Sequence, residues 1–183
     1  MVEVKRVSDI LELQGIKRLQ ELNLSRNIST EESIREGFLT ASYTMDFLEE
    51  MHRDEPSIIA KVGDDVVGYA LVSTKKMRFR HDLLEGLFNA IDNCEYNQQS
   101  LSEVNYVVVG QLCVAKNYRG QGLVQELYGY FRGCLNTRYN YLVTDVAKAN
   151  VRSLKAHQNT GFQVINELEY GGFGWDIVLW DWR

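Results

Sequence analysis

Proline is nearly absent from this chain: Pro56 stands alone among 183 residues. No proline- or serine-rich linker divides the sequence, so it predicts one uninterrupted domain over 1–183. Cysteine is scarce too. Cys94, Cys113 and Cys134 lack metal-ligand spacing and cannot all pair, which points to free thiols in a reducing cytosol. No apolar run approaches the ~18 residues of a membrane span. The first residues, Met1-Val2-Glu3-Val4-Lys5-Arg6, lack the apolar core of a secretory signal, so a cytoplasmic location is expected. Basic charge is also short, with 20 Lys and Arg against 25 Asp and Glu and a net charge of −5. That balance disfavours a nucleic-acid or acidic-membrane partner. Two phosphate signatures are missing as well: there is no Gly-x-x-x-x-Gly-Lys-Ser/Thr run and no Gly-x-Gly-x-x-Gly fingerprint.

Apolar residues make up 45 % of the chain, enough for a sizeable core. Val2–Val7 alternates like a strand. Asp9 and Glu12 have capping-box spacing before a helix whose stripe is Ile10, Leu13, Ile16, Leu19 and Leu22. Ser29 and Glu32 predict a second capped helix carrying Ile34, Phe38 and Leu39, and a third helical piece covers about Thr44 to His52. Ser57–Val62 and Val66–Ser73 read as a hairpin around Gly63-Asp64-Asp65. A long segment from about Lys75 to Asn105 follows, with an amphipathic helix at Leu83, Leu84, Leu87, Phe88 and Ile91. Tyr106–Val114 and Tyr141–Ala147 read as strands. Phe162–Tyr170 and Phe173–Trp182 read as a final antiparallel pair joined at Gly171-Gly172. Hairpins mixed with one crossover unit imply a mixed α+β or α/β domain.

Between Val114 and Val124 an apolar strand ends, a loop carries Arg119, Gly120, Gln121 and Gly122, and a helix begins at Leu123. Glycines let the backbone approach an anion closely. The first N–H groups of the helix lack internal partners, and its dipole favours negative charge there. Arg119 adds a charge-assisted contact to a phosphate oxygen. The helix beyond carries Leu123, Leu127, Tyr130, Phe131, Cys134 and Leu135 on one side. Its Gly129 and Gly133 suggest close packing against another backbone.

A second element lies further on. Asn150, Ser153 and His157 share one helix face, and Gly161 is a natural C′ residue before Phe162. With Arg119-Gly120-Gln121-Gly122-Leu123-Val124 and Asn150…Ser153…His157…Gly161-Phe162 both in view, the chain resembles the GCN5-related N-acetyltransferase (GNAT) superfamily over nearly its whole length. That family's motifs are Arg/Gln-x-x-Gly-x-Gly/Ala and roughly Asn-x-x-Ala-x-x-x-Tyr-x-x-x-Gly-Phe. Three departures stand out: Val124 replaces a small residue, His157 replaces a tyrosine, and the 75–105 segment is much longer than usual.

The resemblance implies a central mixed, mostly antiparallel sheet of about seven strands flanked by helices, with a helical insertion between the third and fourth strands. It implies acetyl-CoA as cosubstrate, no metal, and direct acetyl transfer to a primary amine of a small molecule or peptide in a ternary complex. By position, Leu112, Cys113 and Val114 would offer backbone to the pantetheine arm, with an N–H near Val114 at the thioester oxygen. Arg119 to Val124 would hold the pyrophosphate. Asn150, with Ser153 one turn on, would touch the pantetheine or merely cap its helix.

His157 stands where the family tyrosine protonates the departing thiolate, or it is a hydrogen-bonded histidine on the inner helix face. Cys113 reads as a small buried apolar residue rather than a nucleophile. For a general base, Glu103, Asp145 and Glu167 all lie near strand ends. Tyr43, Phe47, Tyr170, Phe173 and Trp175 are candidates for the acceptor wall, or for core or a homodimer interface. Eight carboxylates stand against two arginines between Glu31 and Glu55. They form a solvated surface or a funnel for a cationic amine. The alternative to catalysis is a non-catalytic acyl-CoA-binding sensor or interaction module.

Overall fold

The structure, a computed structural model, describes residues 1–29 and 38–183. The helix expected around Ile34 falls largely at 30–37, outside the described residues, as do Glu31, Glu32 and Glu36 of the acidic run.

Nine strands and five α-helices make up the described chain. In order they are β1 (Glu3–Arg6), α1 (Ile10–Asn23), α2 (Met45–Asp54), β2 (Ile58–Val62), β3 (Asp65–Ser73), α3 (Asp82–Asp92), β4 (Glu95–Tyr96), β5 (Gln99–Ser100), β6 (Tyr106–Val114), α4 (Leu123–Leu135), β7 (Tyr141–Ala147), α5 (Val151–Thr160), β8 (Gln163–Tyr170) and β9 (Phe173–Asp181). Seven strands form one sheet in the order β1-β2-β3-β6-β7-β9-β8, and β4 and β5 form a separate small hairpin. Among the described strands of this sheet only the β6–β7 pair is parallel. The mixed, mostly antiparallel seven-stranded sheet expected from the sequence is therefore present.

Each sheet face carries its own core. On one face Leu13, Ile16 and Leu19 of α1, Leu48 and Met51 of α2, and Phe88 and Ile91 of α3 pack on Tyr69, Leu71 and Val108. On the other, Leu123, Leu127, Tyr128 and Phe131 of α4 pack with Phe162 and Trp182 on Ala70, Val107 and Leu142. The predicted stripe of α1 is right only in its middle, for Ile10 is 44 % exposed and Leu22 71 %. Glu12 does not close the expected box on Asp9. Its N–H bonds the Asp9 carboxylate at 3.0 Å, and its own Oε2 accepts from the Ser8 N–H at 2.8 Å. The helical glycines Gly129 and Gly133 face open space, contrary to the close packing expected of them. The tight approach lies on the strand side: a Cβ at Gly68 of β3 would meet Leu127 Cδ1 of α4 at 3.3 Å.

Two features of β6 position the site. Leu71 pairs with Gln111 while Val72 pairs with Val109, so Gly110 is an extra, bulged residue. Parallel pairing of β6 with β7 runs only from Tyr106–Tyr141 to Val108–Val143, after which the strands part. The Thr144 hydroxyl then donates to the Val109 carbonyl at 2.8 Å, satisfying an acceptor at the fork.

Candidate active site

The gap between β6 and β7 opens into two adjoining cavities of about 390 and 560 Å³. Leu112, Asn150 and Ser153 line both, so they meet at the fork.

The smaller cavity begins at the glycine loop. Gly120 and Gly122 take φ of +74° and +83°, a left-handed backbone that costs other residues about 1–2 kcal/mol. Gly122 caps α4 without a side chain, and the first helical bond runs from the Glu126 N–H to the Gly122 carbonyl at 3.2 Å. The N–H groups of Leu123, Val124 and Gln125 precede that bond and have no place in the ladder. All three residues line the cavity, as do Arg119, Gly120 and Gly122. Gln121 does not line it; its amide folds back to the Asn117 carbonyl at 2.8 Å. Arg119 braces the loop: Nε donates to the Val114 carbonyl at 2.9 Å and a terminal nitrogen to Asn23 Oδ1 at 2.5 Å. Arg152 and Lys155 of α5 add positive charge that the sequence reading did not single out. The signal was there, since both lie within the turn and a half that follows the Asn150 cap. No described aspartate or glutamate lines this cavity.

Strand alternation settles which backbone groups face the gap. Ala115 N–H bonds the Val67 carbonyl on β3, so Cys113, two residues back and opposite Tyr69, also turns its main chain to β3. Leu112 and Val114 turn theirs to the open side, where Arg119 meets the Val114 carbonyl. Of the three residues expected to offer backbone, Cys113 is therefore directed elsewhere. Burial pushes its thiol up to about 12, which keeps it protonated.

Asn150 caps α5, accepting from the Ser153 N–H at 3.2 Å, while its amide reaches the Phe38 carbonyl at 3.5 Å. His157 is 2 % exposed. Its Nδ1–H donates to the Ser153 carbonyl at 2.8 Å, leaving Nε2 to accept from the Tyr128 hydroxyl at 2.7 Å. Burial lowers its pKa to about 4. At neutral pH the ring is neutral, with its one proton engaged by the Ser153 carbonyl and its other nitrogen by Tyr128, an arrangement suited to the hydrogen-bonded inner-face histidine. Phe162 lies edge-on to the same ring.

The larger cavity holds the remaining candidates. Asp145 follows the last β6–β7 pair and lines the cavity beside Thr144 and Val146. It is half-buried, and what surface it keeps faces the cavity. Desolvation raises its carboxyl to about 6, opposed only by a local backbone hydrogen bond. Glu167 does not come to the site: its side chain is 66 % exposed, paired with Lys148, and lines neither cavity. Glu103 is likewise exposed and away from both. Tyr43, Tyr170, Phe173 and Trp175 line the larger cavity, whereas Phe47 packs against Tyr43 and His81.

A buried polar network that the sequence did not reveal fixes the bulge. Gln111 Oε1 accepts from Gln20 at 2.8 Å and Tyr69 at 2.7 Å, and Gln111 Nε2 donates to the Ala41 carbonyl at 2.8 Å. The Tyr43 hydroxyl donates to the Gly110 carbonyl at 3.1 Å.

Solved structures repeat this architecture along the whole chain. The NatC complex bound to Gag peptide and CoA includes a chain 13 % identical, with TM-score 0.68, covering 100 % of this chain and 99 % of that one. A GNAT-family acetyltransferase from Streptococcus agalactiae 2603 is 13 % identical, with TM-score 0.68 and coverage of 100 % and 96 %. A putative acetyltransferase from Salmonella typhimurium, with its cofactor acetyl-CoA, is 12 % identical, with TM-score 0.64 and coverage of 100 % and 95 %. Identities this low speak for the fold alone. No curated protein matches the chain in sequence. The sequence profile of the Acetyltransferase (GNAT) family matches residues 17–162, most of the chain. That match takes in the glycine loop, the forked strands and the Asn150–Phe162 element, and the chain belongs to the Acetyltransferase (GNAT) family.

Proposed function

We propose that this protein transfers the acetyl group of acetyl-CoA to a primary amine by direct attack, both substrates being bound at once. The observation that carries the reading is the joining of two oppositely charged cavities at the β6–β7 fork. One is lined by Arg119, Arg152 and Lys155, and the other by Asp145 and Glu169. An anionic carrier and a cationic acceptor would each enter the end that attracts it.

The residues present fit the carrier. The positive-φ glycines and the leading N–H groups of α4 form a cradle for a diphosphate, and a Cβ at Gly122 would stand in open space beside it. Leu112 and Val114 present main-chain groups to the gap, where an extended amide-bearing arm can pair with them. Acetyl-CoA, when bound, supplies an acyl group already activated as a thioester.

Asp145 is the base in this reading. It removes one ammonium proton; the freed nitrogen bonds the acyl carbon, the carbon–sulfur bond breaks to release the thiolate, and the nitrogen gives up its second proton to solvent or to that thiolate. In this reading the Val114 N–H donates to the carbonyl oxygen as negative charge builds there, a contact typically worth about 3–4 kcal/mol. His157 supplies no proton. A thiolate whose acid has a pKa near ~8.5 is a competent leaving group without one.

Thiol release from acetyl-CoA across an amine panel tests the proposal, with calorimetry reporting cofactor affinity. Release that depends on the amine supports transfer. Tight cofactor binding with no release on any amine would leave the binding-module reading in its place.

A further inference from the structure

The larger cavity has a chemistry of its own. One wall is Leu83, Leu87 and Ala90 of α3, inside the 75–105 insertion. Tyr170, Phe173 and Trp175 at the β8–β9 turn supply a second apolar part of the lining. Its ionic groups are carboxylates, with Asp145 at the fork and Glu169 at the exposed rim. No described lysine or arginine lines it.

The polar donors that face this cavity are largely spent on the protein. The Tyr43 hydroxyl holds the Gly110 carbonyl and the Thr144 hydroxyl holds the Val109 carbonyl. The Gln111 amide holds the Ala41 carbonyl, and the Trp175 N–H holds the Tyr170 carbonyl at 3.3 Å. A ligand here finds apolar surface and acceptors. A carboxylate on the ligand would meet Asp145 with no described lysine or arginine to offset it, and a chain of peptide carbonyls would be stripped of water with few donors among the described residues in return. A polycation lacking apolar bulk would leave the apolar lining from α3 and the β8–β9 turn uncovered.

We infer that the acceptor is a primary amine with one cationic head on an apolar aryl or alkyl body and no carboxylate, selected by the wall that the insertion helix α3 builds. This rests on the acyl-transfer reading above. The ammonium lies at Asp145, and the body lies between α3 and the β8–β9 turn. The insertion is thereby a specificity element.

The test uses the full chain with 2-phenylethylamine, phenylalanine, spermidine and a short peptide with a free N-terminus. Two readouts are followed: quenching of tryptophan fluorescence by the amine alone, reporting on Trp175, and thiol release with acetyl-CoA. The expected result is a kcat/KM for 2-phenylethylamine at least tenfold above each of the others. Leu83→Arg, at a half-buried cavity-facing position, should raise KM for 2-phenylethylamine at least tenfold and narrow its lead over phenylalanine. Phe173→Ser, at an exposed position, should raise KM with kcat kept, and guards against a folding defect in the first variant. A preference for spermidine, phenylalanine or the peptide overturns the acceptor assignment while transfer stands. Unchanged selectivity in both variants, each with wild-type Tm, overturns the role of the wall. Cofactor binding with no thiol release on any arm overturns this inference and the reaction together.

Discussion

Asp145→Asn is the most discriminating substitution, because its effects on stability and rate should have opposite signs. The carboxyl sits at about 6 in the fold against an ordinary 3.8. That is roughly two pKa units, and at about 1.4 kcal/mol each the ionised form costs the folded chain about 3 kcal/mol. The folded pKa is raised, so between pH 4 and 6 the native state holds a proton that the unfolded chain has released. Stability therefore falls as pH rises through that window. Asparagine has the same shape and no charge. At pH 8 the variant should be more stable by up to about 3 kcal/mol, less in proportion to the water the cavity retains, and near pH 4 the gain should vanish. The rate should move the other way, since loss of a general base costs roughly 10²–10⁴-fold. Urea unfolding at pH 4 and pH 8, with thiol release on the same samples, reads both. A variant less stable at pH 8 would mean that the carboxylate has a stabilising partner. A variant with wild-type turnover would remove Asp145 from the chemistry.

Gly122→Glu should abolish acetyl-CoA binding in calorimetry, because it puts a like charge beside the diphosphate cradle. The left-handed backbone there adds a stability cost of about 1–2 kcal/mol, visible as a modest fall in Tm. Normal affinity in a folded variant would refute the loop assignment. His157→Phe should cost about 1–3 kcal/mol at pH 7 by leaving the Tyr128 hydroxyl without an acceptor. The lowered pKa of His157 also predicts that this group's contribution to stability, opposite in sign to that of Asp145, is whole above pH 6.5 and falls as pH drops toward 4, by about 2 kcal/mol at pH 5. The phenylalanine variant should lack that acid loss in urea titrations at the two pH values. A large fall in kcat with the fold intact would restore the histidine as the acid.

Local patterns in the sequence marked the elements that build the cofactor end. Tyr106–Val114 and Tyr141–Ala147 are largely apolar runs, broken at Gly110-Gln111 and Thr144-Asp145, and the strands have those limits. The glycines at 120, 122 and 161 sit where φ is positive, and Asn150 caps the helix it precedes. These features depend on a few neighbouring residues. The acceptor end does not. That Gly110 is bulged follows from how β3 registers against it, and that Asp145 faces a cavity follows from where β6 leaves β7. Helical period placed His157 on an inner face, but nothing local says that Tyr128, 29 residues earlier, fills its second nitrogen. Ile10 and Leu22 fit the period of α1, yet they lie at its ends and are exposed. The β4–β5 hairpin was not read from the sequence; in the structure Asn97 and Gln98 take the two positive φ values that its two-residue turn needs.

The difference in proton affinity between acceptor and base sets how Asp145 must act. An alkylammonium resembles lysine, with a pKa of ~10.4, and against an ordinary aspartate the gap is roughly 6.5 units. Raising Asp145 to about 6 closes about a third of it, and desolvation of the ammonium on entry lowers the amine's own value further. What remains depends on the pH of the solution rather than on the protein. At pH 7 fewer than about one amine in a thousand arrives neutral, and at pH 9 the neutral fraction is about 100-fold larger. A neutral amine needs no base before attack. The deficit of Asp145→Asn relative to wild type should therefore shrink by up to about 100-fold between pH 7 and pH 9 in kcat/KM. A deficit that stays constant across that range would mean that Asp145 holds the amine in place without taking its proton. The carboxylate would then belong with the walls that orient the acceptor.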